Sequence, residues 1–198
     1  RPEGRQALRR LVERVERRPE TPARKRLSLR LDCGSCVVRD WKRADKPALL
    51  RAANNRKIWR NLMHVFPHPY TDADAEAWFA LLEKMTPPSH WAIEVDGSAA
   101  GGIGIGLGEG VHAKTAHFGY WLAEPYWGRG IMSAAARATA DHVFEYFDVA
   151  RLEAPVFEWN PASMRVLEKC GFVREAVLRR SILKDGQLID AVLYARLR

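Results

Sequence analysis

The sequence predicts a mixed α/β (α+β) domain, and three observations point there. Stretches with period-two alternation of apolar residues are interspersed with stretches at helical spacing. Two strand–loop–helix units follow one another, one over about 116–147 and the next over about 151–171. Two more alternating stretches close the chain, about 173–183 and 187–196, joined by Lys184-Asp185-Gly186. A length of 198 residues suits one domain with a real core, and 47% apolar with 28% charged residues is ordinary for a globular protein.

The net charge of +8 is uneven. Residues 1–30 hold eleven Arg/Lys against four Glu, leaving 21 basic and 20 acidic groups for the other 168 residues. The basic character belongs to an arm, residues 1–26, ahead of a nearly neutral domain, 27–198. In the arm, "RQALRRLVERVERR" sets Leu8, Leu11, Val12 and Val15 on one helical stripe, and Pro19 and Pro22 end that helix. Two readings stay open: weak contact with RNA, a ribosome or an acidic surface, or an amphipathic helix that packs on the domain or on a second subunit in a homodimer. No apolar run approaches the roughly 20 residues of a membrane span, so no membrane partner is expected. Three cysteines, an odd number, favour a reducing compartment and a cytoplasmic location. The chain begins at Arg1, not Met, so its natural start lies upstream, and a removed signal stays an open reading.

In order along the domain, "RLSLRLD" and "CVVRDW" predict two strands, or one bent strand, over 26–41. Residues 45–62 read as one helix with Leu49, Leu50, Ala53 and Ile58 inward, and "FPHPY" (66–70) as a loop. Thr71 caps a helix running to about Met85, with Asp72 and Asp74 in its first turn. "HWAIEV" and Asp96-Gly97 make a strand and a tight turn.

"GGIGIGLGEG" (101–110) has the look of a phosphate-binding loop. A dinucleotide fingerprint needs Gly-x-Gly-x-x-Gly between a strand and a helix. After Gly102 and Gly104 the third position is Leu107, and after Gly104 and Gly106 it is Glu109. No helix comes next. Ile103, Ile105 and Leu107 alternate with glycines, so the stretch is a strand with one aliphatic and one bare face.

A phosphate cradle fits better further on. The strand 116–122 leads through a short loop, Glu124 to Gly130, into a helix with Met132, Ala136, Ala140, Val143 and Phe147 on one face. A glycine-rich turn at a helix start leaves N–H groups converging on one spot with the helix dipole behind them. An ordinary strand-to-helix turn is the competing reading. In the next unit Asn160 is an N-cap, Pro161 fits the first helical position, Val166 and Leu167 face inward and Gly171 ends the helix.

"GYWLAEPYWGRGIMSAA", "WNPASMRVLEKCGFVRE" and "DGQLIDAVLYARL", in this order and spacing, resemble the GNAT superfamily of acetyl-CoA-dependent N-acetyltransferases, in its RimJ/RimL-type branch. The resemblance covers about residues 27–198. Of the family pattern Gln/Arg-x-x-Gly-x-Gly/Ala only the central glycine, Gly130, matches strictly; Trp127 and Met132 depart from it. The resemblance implies a mostly antiparallel central sheet flanked by helices, in which two parallel strands, 116–122 and 151–157, splay around acyl-CoA. It implies that backbone N–H groups of Trp127, Gly128, Arg129, Gly130, Ile131, Met132 and Ser133 hold the pyrophosphate. It further implies that Asn160 and its helix line the pantetheine arm, and that Ser163 protonates the leaving thiolate.

The implied reaction is acetyl transfer from acetyl-CoA to an amine by direct attack, and the acceptor is a peptide N-terminus or a small amine. Such a reaction needs a proton acceptor, an oxyanion donor and an acid. A strand N–H near Leu122 could serve the oxyanion. Glu94, Glu109, His117 and Glu158 are the candidate bases, and the sequence does not choose among them or say which face of 116–122 meets the cofactor. Two other function classes stand beside the enzyme: a non-catalytic acyl-CoA-binding module, and an RNA- or ribosome-associated protein that works through its arm.

"CGSC" (33–36) has redox or zinc spacing but lacks a second pair, and His64, His68, His112 and His117 lack metal-ligand spacing, so no metal is expected. "WRNLMHVFPHPY" (59–70) reads either as ordinary packing or as the lining of an acceptor pocket.

Overall fold

The computed structural model describes Gln6 and residues 28–198, so the reading of the basic arm falls outside the described residues. Eight strands form one sheet: β1 (Arg30–Asp32), β2 (Val37–Arg39), β3 (His90–Val95), β4 (Ser98–Leu107), β5 (Thr115–Leu122), β6 (Arg151–Phe157), β7 (Val173–Lys184) and β8 (Gln187–Leu197). Their order across the sheet is β1-β2-β3-β4-β5-β6-β8-β7. Every pair is antiparallel except β5 with β6. The helices are α1 (Lys46–Ala53), α2 (Arg56–Trp59), α3 (Asp72–Lys84), α4 (Ile131–Tyr146) and α5 (Pro161–Lys169).

The predicted helix over 45–62 is broken into α1 and α2, and the cause is local. Asn54 leaves the helical region, and its Oδ1 accepts the Tyr70 N–H at 3.3 Å. The Asn55 side chain accepts the Lys57 N–H at 2.8 Å and so starts a new helix. Asparagine side chains compete with helical backbone bonds in this way, and apolar spacing does not register it. Leu49, Ala53 and Ile58 are buried as expected, whereas Leu50 is half-buried. Helix α3 begins as read: Thr71 and Asp74 cap each other, with the Thr71 N–H donating to Asp74 Oδ2 at 2.8 Å.

Alternation along β4 divides the molecule. Ile103 and Ile105 enter the main core with Phe118, Ala140, Val143 and Leu152, under α4 and α5. The glycine face turns the other way, toward α1, α3 and a second cluster that includes Leu49, Tyr70 and Phe79. Bare backbone is required there. A Cβ on Gly104 would lie 2.6 Å from the Ser89 carbonyl oxygen and 2.7 Å from the His90 ring. One on Gly102 would lie 2.7 Å from Trp121 Nε1 and 3.3 Å from the Trp41 indole. The glycines therefore make room for aromatic rings laid against the sheet.

"CGSC" forms the turn between β1 and β2, where the Cys33 N–H donates to the Cys36 carbonyl at 2.9 Å and both thiols are free. Among the described residues no group of three or more His, Cys, Asp or Glu is placed to hold a metal, and no helix is long and apolar enough to cross a membrane.

Gly104→Ala is expected to lower the unfolding free energy by about 1–3 kcal/mol through overpacking. Gly106→Ala, whose new Cβ would meet only the His117 Cβ at 3.9 Å, is expected to be neutral or slightly stabilising. Urea unfolding of the two variants beside the parent measures the difference.

Candidate active site

The parallel pair opens part-way along its length. β5 and β6 pair only as Thr115↔Arg151, Ala116↔Leu152 and His117↔Glu153. Beyond that point β5 stays bonded to β4 as far as Leu122, and β6 stays bonded to β8 as far as Phe157. Each strand is held on its outer side while the inner sides part. Pro155, just past the last pair, has no N–H to extend a ladder.

Two cavities meet at this opening. One, about 330 Å³, is lined by the strand-to-helix loop from Tyr126 to Ser133 and by the start of α5. The other, about 500 Å³, lies against the glycine face of β4 and under the 61–67 loop. Asn61, Leu62, Tyr120, Trp121, Asn160 and Ser163 line both.

The loop has the backbone geometry of an anion site. Gly128 and Gly130 have φ of +73° and +77°, the left-handed region that glycine adopts without strain, and a Cβ on either would meet nothing within 4 Å. Gly130 is the N-cap of α4 and carries no side chain to cap it. The first helical return bond found there is from the Ala134 N–H to the Gly130 carbonyl, at 3.1 Å. The N–H groups of Ile131, Met132 and Ser133 thus precede the first internal acceptor and face outward at the positive end of a 16-residue helix. A CoA pyrophosphate fits this chemistry. Arg129 is exposed and lies over the Tyr126 ring at 5.5 Å.

Side chains staple the loop in place. Trp127 Nε1 donates to the Leu122 carbonyl at 2.7 Å, which folds the loop back on the end of β5. Asn55 Nδ2 donates to Glu124 Oε2 at 2.9 Å, and Lys57 pairs with the same carboxylate. These two contacts, with Lys57 foremost, hold the Glu124 carboxyl below its usual range. Sequence reasoning missed this staple, since 55 and 124 are linked only through the fold.

Asn160 caps α5 as read, its Oδ1 accepting the Ser163 N–H at 3.2 Å. Ser163 Oγ sits 2.9 Å from the Tyr120 hydroxyl, which also donates to the Ser163 carbonyl at 3.2 Å. Burial pushes the Tyr120 phenol above its ordinary pKa, so it stays protonated. Tyr120 was not singled out from the sequence. Its strand parity, shared with Phe118, was the available signal, and the structure turns both toward the α4 and α5 side.

The candidate bases separate. Glu94 is tied to Arg39, whose guanidinium also makes a bidentate pair with Asp45 at 2.7 and 2.8 Å. Glu109 stands in an exposed turn and lines neither cavity. Glu158 is exposed, and its Oε1 accepts the Asp190 N–H at 3.2 Å. His117 alone of the four lines the larger cavity, with Nδ1 3.2 Å from Glu153 Oε1 at the last rung before the strands part.

An eight-stranded mixed sheet whose one parallel pair opens beside a glycine-capped helix start defines the acetyltransferase class of fold. The model of the acetyltransferase (GNAT) domain matches residues 36–173, and the chain belongs to that family. It is 41% identical over 82 residues to YjcK of Bacillus subtilis (strain 168), a probable N-acetyltransferase, covering 41% of this chain and 45% of that protein. It is 34% identical over 84 residues to the ribosomal-protein-serine acetyltransferase of Escherichia coli (strain K12), covering 42% and 47% of the two. The chain thus spans about half the length of the curated relatives it matches. Among solved structures, Mycobacterium smegmatis RimJ in complex with CoA-disulfide superimposes with a TM-score of 0.69 at 28% identity, over 86% of each chain.

Gly130→Val is expected to weaken CoA binding by roughly 10–100-fold, the loss of one or two charge-directed N–H bonds. Arg129→Ala is expected to cost less. Calorimetric titration of both variants, each first shown to be folded by circular dichroism, gives the comparison.

Proposed function

We propose that this protein transfers the acetyl group of acetyl-CoA to the α-amino group of a peptide or protein N-terminus, by direct attack in a ternary complex. The observation that carries the proposal is the junction of the two cavities at Ser163, Tyr120 and Asn160. One cavity ends in an anion cradle and the other is open to a second substrate. Family membership and the likeness to the ribosomal-protein-serine acetyltransferase of E. coli support the reading.

The backbone N–H groups at Gly130, Ile131, Met132 and Ser133 hold the pyrophosphate, and the start of α5 lines the pantetheine arm. Bound there, acetyl-CoA supplies an activated acyl thioester. Tyr120 spends its proton on the Ser163 carbonyl, so Ser163 Oγ keeps its own proton beside the Tyr120 oxygen and turns it to the leaving sulfur as the thioester bond breaks. On the acceptor side Glu153 accepts from His117 Nδ1–H, which sets the tautomer and leaves Nε2 as the proton acceptor. From His117 to Tyr120 is three residues of strand, roughly 10 Å, so the amine proton travels through water. An α-amino group, with a pKa near 8, is deprotonated far more readily than an alkylamine near 10.4, which suits a peptide terminus.

Ser163→Ala is expected to lower kcat about 10²-fold with little change in acetyl-CoA affinity. His117→Gln should lower kcat/KM by a similar factor, and Glu153→Gln by less. Single-turnover kinetics on a panel of peptides and amines, beside acetyl-CoA titration, tests the set. Acetyl-CoA binding without turnover of any acceptor would make the protein an acyl-CoA-binding module instead.

A further inference from the structure

We infer that the amine acceptor carries a large, uncharged apolar or aromatic group beside its nitrogen, and that the cavity under the 61–67 loop selects it; this rests on the acetyl-transfer reading above. The cavity measures about 500 Å³, within the range of pockets that enclose a small ligand. Its walls are rings and aliphatic side chains, among them Trp41, Phe66, Tyr70, Trp78, Trp121 and Phe157. Its floor is backbone, at Gly104, Gly106 and Gly119. No Asp, Glu, Lys or Arg is among the described residues that line it.

The rings pack in two groups. Phe66 packs 5.1 Å from Tyr70 and 5.7 Å from Trp121, and Trp78 packs edge-on to His90 at 5.4 Å. His90 is neutral at physiological pH, because burial pushes its pKa down to about 4. Trp41 Nε1 is buried with no hydrogen-bond partner among the described residues. The lining therefore offers an apolar guest extensive contact and offers an ionic guest no counter-charge.

Two cations already lie near the loop that covers the cavity. Arg60 lies over the Trp159 ring at 4.6 Å, and Trp159 Nε1 donates to Asn61 Oδ1 at 3.1 Å, so this cation is held beside a residue of the junction. Lys184 Nζ lies over Trp59 at 4.0 Å and donates to the Leu62 carbonyl at 2.7 Å. A polyamine would find no carboxylate among the residues that line the cavity, and Glu153, behind His117, is already shared with Arg151. Burying a second ammonium group there costs several kcal/mol. A bulky apolar side chain gains with every methylene removed from water.

The test has two arms. Tryptophan fluorescence titration in saturating CoA measures binding of phenylalaninamide, serinamide and spermidine without requiring turnover. Acetylation of otherwise identical peptides starting with Phe, Leu, Ser or Ala is then compared with acetylation of phenylalaninamide, which distinguishes a protein terminus from a free small amine. The expected result is at least tenfold tighter binding, or higher kcat/KM, for the large apolar member over the serine one. Val65→Asp, which sets a carboxylate in the wall remote from the cradle, should erase that preference and leave CoA affinity unchanged. Equal or reversed preference for serine or spermidine overturns the inference. Apolar-selective binding without turnover of any amine upholds the pocket and instead removes the acetyl-transfer reading.

Discussion

The half-length ladder between β5 and β6 is the constraint on which the rest depends. Three residue pairs join the strands, and then each follows its outer neighbour. A sheet that stayed zipped would bring Tyr120, Asn160 and the loop before α4 together without space between them. Because it opens, backbone is exposed in the middle of a sheet, which is costly unless a ligand or water pairs with it. The two cavities meet at this gap, beside Tyr120 and Trp121, beyond the last shared rung.

The second dependence is on the bare face of β4. A strand in a sheet normally presents side chains to both layers, and here one layer meets hydrogen atoms only. That lets α1 and the rings of Trp41, His90 and Trp121 come close to the sheet. The stretch that resembles a phosphate loop thus floors the larger cavity, and the turn with the geometry of an anion site comes some twenty-five residues later, where two left-handed glycines free the start of α4. Both use glycine, for different reasons: one for close approach of rings, the other for backbone conformation.

Ion pairs divide structural carboxylates from one that borders the strand opening. Burial works against ionisation of Asp45, yet Arg39 and the Lys42 N–H hold its carboxyl below the usual range. The same guanidinium takes Glu94. The result ties β2 and β3 to the approach of α1, and breaking it would leave a buried charge unpaired. Glu153, by contrast, is shared by Arg151 and His117 at the mouth of the strand opening.

Much of the fold was legible in the sequence because strand alternation, Thr71 and Asn160 caps and glycine turns are local signals with local causes. The left-handed glycine turn at Gly130 and the Asn160 cap beside Ser163 were legible too, by motif spacing together with family resemblance. The break at Asn54-Asn55 was not, since two side-chain hydrogen bonds overrode apolar periodicity. Nor were the Asn55–Glu124 staple, the Tyr120–Ser163 pair and the His117–Glu153 pair, each of which joins residues distant along the chain. By itself the sequence determined most of the strands and helices, and that a glycine turn opens α4, because backbone conformation and helix termini are set by neighbours a few residues away. Only the tertiary structure decided which face of β5 meets which helices, which carboxylates are consumed in ion pairs, and what lines the larger cavity. Those depend on strand register and on where the β5–β6 ladder stops, and neither is encoded within any one segment.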